Sequence, residues 1–244
     1  MLMFRVIMRG RNVASLVGKT VKSLKEQTCP NWRCYIYLDA PTDNSVDVAM
    51  GISVRDDRFS VYASCHHFGV AAAMYSAPRA FQQFDDDDIL AFVDGDGDTL
   101  PPKALRIVEK VYQKHPETMV THGSYIKRSK GRRTKISHPY PSGANVRSHP
   151  WRASHLKTMK WNLFSMIPKD CFTHNGLWLP AASDVALMLP AMEMAGPKRC
   201  RHIHKITYNW RDRSTKAKRK IERRCEKIVR KKKPMAPVDW EAVE

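Results

Sequence analysis

The chain has 244 residues, enough for one well-buried domain with an appendage, and no run of 18 apolar residues, which excludes a membrane-spanning helix. Its formal net charge of +18 is unevenly placed: residues 1–110 hold 13 Lys+Arg against 14 Asp+Glu, residues 111–244 hold 29 against 10. A near-neutral first half joined to a strongly basic second half implies a polyanion or an anionic membrane surface as partner of the second half.

The opening MLMFRVIMRGRN is broken by Arg5 and Arg9 and reads as a strand over 4–8, not as a signal peptide. Val13, Leu16, Val17, Val21 and Leu24 fall near helical spacing, predicting a helix over 13–27 that Cys29-Pro30-Asn31 ends. A second strand over 33–38 runs into Asp39, and 40–45 is a turn with several N-cap candidates. A third strand follows over 59–63, then a helix over 71–84 interrupted near Pro78. Ile89–Asp94 begins as a continuous apolar run, as a strand buried on both faces would. This alternation is that of a parallel, doubly wound α/β sheet.

The central strand ends in Asp94-Gly95-Asp96-Gly97-Asp98. Three carboxylates in five residues repel one another, and the two glycines permit a sharp turn with close backbone approach. An acidic cluster at the carboxyl end of a buried strand lies where open α/β sheets bind ligands, and a divalent cation bridging to phosphates would offset the repulsion. An EF-hand calcium loop is disfavoured by Thr99 and Leu105, which stand where Gly and Glu are needed. A solvated acidic turn is the plain alternative, and it suffices for the preceding run 85–88.

Beyond this point a helix is expected over 105–114 and a strand over 120–126. Residues 127–135, KRSKGRRTK, pack six basic residues into an exposed loop or hairpin tip. No regular element is expected from there to Trp151. Helices are expected over 156–167 and 184–194, the latter with Pro190 as an irregularity, and an extended segment over 201–210. Residues 211–233 hold 13 Lys+Arg against 3 acids, with Ala217, Ile221, Cys225, Ile228 and Val229 along one helical face. This is a basic amphipathic helix with a narrow apolar stripe, ended by Pro234 and Pro237. The six cysteines form no CxxC pair and no zinc spacing, and read as thiols of a reducing compartment: the cytoplasm, or a host's cytoplasm for a viral chain.

From residue 4 to about 210, the order and spacing of several short segments resemble the nucleotide-sugar-dependent glycosyltransferases of family 2, which have the GT-A fold. Arg11-Asn12 is similar to the Tyr-Asn that closes the family's first strand. Ser23-Leu24 with Gln27-Thr28-Cys29-Pro30-Asn31-Trp32 resembles its S-L-x-x-Q-T-x-x-x-W segment, and Leu38-Asp39-Ala40-Pro41-Thr42-Asp43 its D-D-G-S-T-D. His67-Phe68-Gly69-Val70-Ala71-Ala72-Ala73 resembles N-x-G-x-x-x-A, and Asp94-Gly95-Asp96 with Leu100-Pro101 the D-x-D-D-x-x-L-P metal motif. The chain departs from the pattern at Leu38, His67, Gly97 and Met74-Tyr75.

The resemblance implies a GT-A (Rossmann-like), mostly parallel sheet over residues 1–210, with a nucleotide-sugar half (1–110) and an acceptor half (111–210), followed by a basic, helical extension over 211–244. It implies that Asn12, Asp39, Asp43, His67, Gly69, Asp94 and Gly95 surround a nucleotide-sugar donor, a UDP-sugar. Asp94 and Asp96 would hold Mn²⁺ or Mg²⁺, with His204 as a third ligand; a structural histidine is the alternative for His202 and His204. Asp43 can equally cap the helix that follows it. Asp184, in Ala182-Ser183-Asp184 ahead of a helix, would be the general base of an inverting transfer, with an N-cap role as the alternative and Glu193 deeper in the same segment.

Transfer alone does not explain the basic half. Lys127, Arg128, Lys130, Arg132, Arg133, Arg219 and Arg223 would track phosphates, and Trp151, Trp161, Trp178 or Trp210 would stack on bases, if the acceptor is DNA carrying a 5-hydroxymethylpyrimidine, as in a viral genome. The rivals are transfer to a lipid or surface polysaccharide at an anionic membrane, and a non-catalytic binding protein on the same scaffold.

Overall fold

The computed structural model describes residues 2–81, 84–129, 131–212 and 215–242, with the backbone alone at 128, 129 and 131–135. The first half runs β1 (Phe4–Gly10), α1 (Val17–Lys25), β2 (Trp32–Asp39), α2 (Ser45–Ser53), β3 (Phe59–Ser64), α3 (Val70–Arg79), β4 (Ile89–Asp94) and α4 (Ala104–Lys114). The second half adds β5 (Val120–Ser129), β6 (Gly131–Lys135), β7 (Lys157–Lys160), α5 (Trp161–Ser165), β8 (Thr173–His174), β9 (Leu177–Trp178), α6 (Ser183–Ala195), β10 (Cys200–Arg211) and α7 (Lys216–Lys231).

Eight strands form one sheet in the order β10-β5-β7-β4-β1-β2-β3, with β6 paired to β5. The pairs β1–β2, β1–β4, β2–β3 and β5–β10 are parallel, whereas β7 is antiparallel to both β4 and β5. The chain moves outward from β1 to β3, then crosses back through α3 to place β4 on the other side of β1. The carboxyl ends of β1 and β4 therefore flank a topological switch point, where an α/β sheet opens a crevice.

Side-chain alternation along the strands builds a core on each face. Phe4, Val6 and Met8 of β1 pack with Val17, Val21 and Leu24 of α1, and with Leu105 and Val108 of α4. Ile7 of β1 and Leu90 and Phe92 of β4 face the other way, onto Ala73 of α3, Leu163 of α5, Leu187 of α6 and Val229 of α7. The doubly wound, mostly parallel sheet is thus as the sequence predicts.

One local expectation is corrected. The segment 156–167 is not one helix, because 157–160 pair with β4 and β5 across the sheet and only Trp161–Ser165 is helical. That pairing partner lies far away in sequence and leaves no local periodicity. The turn after Asp39 leads into α2, the helix its N-cap candidates imply, which buries only Ser45 and Ala49.

The basic C-terminal segment folds back onto the domain. Cys225 and Val229 of α7 are buried, and Trp240 beyond it is buried with its Nε1–H donating to the Met194 carbonyl. Arg147 clamps the junction, pairing with Glu193 of α6 and donating to the Val229 carbonyl. Phe92, fully enclosed in β4 with its ring 5.9 Å from that of Phe164, tests this architecture. Phe92→Ala should lower unfolding stability by about 3–5 kcal/mol, read as a drop in the denaturant midpoint at constant slope.

Candidate active site

A cavity of about 860 Å³ opens over the carboxyl ends of β1 and β4. Its wall brings together Arg9, Asp39, His67, Asp94, Asp96, His155 and Asp184, residues spread over most of the chain. Trp151, Trp210 and Tyr125 add aromatic surface, and Lys218, Ile221, Glu222 and Glu226 of α7 complete it.

Asp39, buried at the end of β2, organises one end. Its carboxylate accepts from the backbone N–H of Phe68 (3.1 Å) and Gly69 (3.0 Å), and lies 2.7 Å from Nδ1 of His67. Gly69 has φ = +90°, a backbone that a side chain would strain, which lets 67–69 curl around the carboxylate before α3 begins. Asn12 and Asp43 do not line the cavity. Asn12 is bonded to Thr42, and Asp43 accepts from the N–H of Ala14 and from Ser45, so both fasten the loops that frame β1 and β2. The hydrogen bond from the Ser45 hydroxyl is the main reason that Asp43 is held below the usual carboxylate range.

The acidic turn after β4 divides its three carboxylates between two environments. Asp94 and Asp96 face the cavity, and Asp94 accepts from the buried Arg9 guanidinium at 2.6 Å. Asp98 is 1 % exposed, accepting from the Arg211 N–H (2.7 Å) and the Tyr208 hydroxyl (2.8 Å). The same hydroxyl accepts from the N–H of Asp94 (3.1 Å). Burial, followed by the charge of Asp94, pushes the Asp98 carboxyl up to about 8, against the pull of its two hydrogen bonds. Gly95 makes the turn possible: its N–H donates to the Arg9 carbonyl at 2.7 Å, and a Cβ there would sit 3.2 Å from that oxygen.

Asp94 and Asp96 therefore offer two hard oxygen donors on one wall, which fits a Mg²⁺ or Mn²⁺ site completed by substrate phosphates and water. His204 is not brought to them. It is exposed on β10 and does not line the cavity that Asp94 and Asp96 face. Among the described residues no group of three or more His, Cys, Asp or Glu side chains forms a metal cage.

Asp184, which lines the same cavity, sits in the first turn of α6. It makes no capping bond; Oδ2 accepts from Lys157 Nζ at 2.8 Å. Burial would raise this carboxyl, but the charges of Lys157 and Arg9 and the hydrogen bond from Lys157 override burial and hold it well below the usual range. Glu193 points elsewhere, with both oxygens taken by Arg147 and one also by the N–H of Met235. Neither Tyr208 nor Lys157 stands out in the sequence, since each acts through a contact distant along the chain.

The basic candidates separate as well. Arg219 and Arg223 lie with Lys216, Lys220, Arg224 and Lys227 along a shallow groove on the outward face of α7. Lys127 pairs with Asp212 at 2.6 Å and sits over the Trp210 ring. Arg128, Arg132 and Arg133 belong to the β5–β6 hairpin, and Lys130 lies outside the described residues. Trp161 and Trp178 pack against the core, leaving Trp151 and Trp210 on the cavity wall.

A mostly parallel sheet with a carboxylate pair at its switch point and a third carboxylate in the same cavity fits the GT-A arrangement, and comparison with known proteins agrees. The profile of "Glycosyl transferase family 2" matches residues 6–176, and the chain belongs to that family. Among solved structures it is similar to TarS of S. aureus, residues 1–349 in complex with UDP (TM-score 0.67, 15% identity, 93% of this chain and 65% of that one). The same TarS fragment with UDP-GlcNAc aligns at TM-score 0.61 and 16% identity over 88% of this chain and 60% of that one. The mannosyltransferase PcManGT from Pyrobaculum calidifontis, with GDP-Man and Mn²⁺, aligns at TM-score 0.58 and 16% identity over 87% and 57%. The chain spans less than two thirds of the length of each of these proteins. No curated protein matches it by sequence.

The Tyr208 hydroxyl is the joint between the acidic turn and β10. Tyr208→Phe should destabilise the protein by about 1–3 kcal/mol, because it strips a partner from a buried carboxyl and from a backbone N–H. Chemical denaturation measures this directly.

Proposed function

We propose that the protein is a metal-dependent, inverting glycosyltransferase that moves a sugar from a nucleotide sugar, a UDP-sugar, to a hydroxyl on DNA, the leading acceptor being a 5-hydroxymethylpyrimidine. The observation that supports transfer is that Asp94, Asp96 and Asp184, far apart in sequence, line a single cavity. The nucleotide lies toward Asp39, His67 and Gly69. Asp94 and Asp96 hold the divalent ion, which when bound neutralises charge on the leaving diphosphate. Asp184 takes the proton of the acceptor hydroxyl as its oxygen attacks the anomeric carbon from the side opposite the diphosphate, so the configuration inverts. The ligands of the similar structures, UDP, UDP-GlcNAc, GDP-Man and Mn²⁺, support this donor class and ion.

The acceptor reading rests on α7. Its inner face contributes Lys218, Ile221, Glu222 and Glu226 to the cavity, and its outer face carries six cations in line. A polyanion lying along that outer face is held beside the cavity mouth. Trp151 and Trp210 offer flat surfaces on which an extruded base can stack. A membrane reading is less well supported. Cys225 and Val229, the centre of the apolar stripe that would have to enter a bilayer interface, are buried against the domain. Among the described residues no helix is long and apolar enough to cross a membrane. This reading places the enzyme in the cytoplasm.

Incubation with Mn²⁺, a panel of nucleotide sugars and DNA with or without 5-hydroxymethylpyrimidines should add one sugar mass to the modified nucleoside only, read by mass spectrometry. Sugar release to water with no gain on any base would move the acceptor away from DNA. Asp94→Asn or Asp96→Asn should lose Mn²⁺-dependent UDP binding in calorimetry while the folded spectrum is kept. DNA affinity should fall steeply between about 50 and 200 mM salt, with a slope set by the phosphates neutralised. Changing Lys220, Arg223 and Lys227 together to Glu should weaken DNA binding at least about tenfold and flatten that slope, leaving UDP binding unchanged.

A further inference from the structure

Lys157 is an unusual residue to find where it is. It lies on β7, in the middle of the sheet, opposite Phe92 of β4, and is 2 % exposed. A lysine is rarely so enclosed unless paired. Its Nζ is 2.8 Å from Asp184 Oδ2 and 2.8 Å from His155 Nδ1. Asp184 and His155 line the cavity, and Lys157 does not. The ammonium therefore stands behind the wall, bonded to the back of a carboxylate whose side chain is 34 % exposed.

We propose that Lys157 is a positioning residue of the transfer step, holding Asp184 ionised and with one fixed oxygen turned to the acceptor hydroxyl. This rests on Asp184 being the general base. Oδ2 is occupied by Lys157, and Oδ1, which has no hydrogen bond among the described residues, is left for the acceptor proton. His155 fixes the third corner. Because Lys157 has only N–H donors, His155 Nδ1 must accept, so the ring is neutral with its proton on Nε2. Burial and the charge of Lys157 push His155 down to about 3, in keeping with that state. The ring stacks on Tyr208 at 4.5 Å, which ties the group to the hydroxyl that braces the acidic turn.

The charged and titratable groups facing Asp184 come from several elements. Lys157 lies on β7, His155 just before it, Arg9 on β1, and Glu222 and Lys218 on α7. Without the ammonium, burial and Glu222 both favour the protonated acid. The sign follows: a base works ionised, so a raised carboxyl loses activity as pH falls through its new value. The wild-type carboxyl stays ionised through that range.

Two measurements on the full chain test this. The first is a ¹³C titration of labelled aspartate carboxyls, with the Asp184 signal assigned as the one missing in Asp184→Asn; it needs neither donor nor acceptor. In wild type this signal should show no titration above about pH 4, and in Lys157→Met its midpoint should rise above about pH 5. Lys157→Arg, which keeps the charge, should restore the wild-type profile. The second is hydrolysis of UDP-GlcNAc and GDP-mannose with Mn²⁺, water standing in for the acceptor. The rate in Lys157→Met should fall at least about tenfold at pH 6 with KM little changed, and should recover as pH rises. An Asp184 signal that titrates alike in wild type and a folded Lys157→Met overturns the proposal, leaving Lys157 a tie between β7 and α6. Undiminished hydrolysis in Asp184→Asn instead removes the general-base reading beneath it, so the two failures are told apart.

Discussion

The site depends on one buried carboxyl. Asp98 is the third acid of a turn whose other two must face a ligand, and three like charges within five residues would open that turn. The fold resolves this by taking Asp98 out of water and into the bonds of Tyr208 and the Arg211 N–H. Burial pushes its carboxyl up to about 8, and Arg9 lies against Asp94. The geometry that results, Asp94 and Asp96 forward and Asp98 back, joins the first half of the chain to its last strand. The nucleotide half is therefore not a separable unit: its acidic turn is finished by β10.

How much was legible in the sequence follows from where each interaction lies along the chain. The apolar run 89–93 ending in an acidic, glycine-bearing turn is local, and it marks both the central strand and its ligand end. Asp39 and Gly69 are also visible, because a strand-ending acid and a glycine before a helix keep fixed spacing. Tyr208, 110 residues from Asp98, carries no signal of its own. Nor does Lys157, which in sequence is one lysine among many in a basic half. The four-residue β7 was read as helix because what makes it a strand is a pair of neighbours, β4 and β5, on either side of it. His204 shows the reverse error: two histidines two apart on a strand do share a side, with rings 6.3 Å apart, but the strand carries them away from the acidic turn.

The positive excess of the second half also becomes specific only in three dimensions. In sequence, 211–233 is a basic amphipathic helix free to seek a membrane, a nucleic acid or the domain itself. In the fold Cys225 and Val229 of its apolar stripe are buried on the domain, and the loop before β7 is fastened to it by Arg147, Glu193 and Arg230. What is left outward is almost purely cationic, and what is left inward is a wall of the cavity that includes two carboxylates, Glu222 and Glu226. One helix thus presents opposite electrostatic characters on opposite sides. An anion is attracted to the outer side, while Glu222 and Glu226 oppose one on the inner side.

That division bears on the chemistry at Asp184. A carboxylate among other acids in a partly dry cavity tends to keep its proton, and a protonated carboxyl cannot accept one. Glu222, raised by burial and then by the charge of Asp184, shows the repulsion at work between the two groups. Lys157 supplies the opposing charge from behind, where it neither blocks the acceptor nor meets the donor diphosphate. Arg9 likewise lies against Asp94 from the end of β1. Asp94 and Asp184 are thus each bonded to a buried cation, Arg9 and Lys157, and both line the same cavity. The acidic turn and the first turn of α6 fix where those two carboxylates stand.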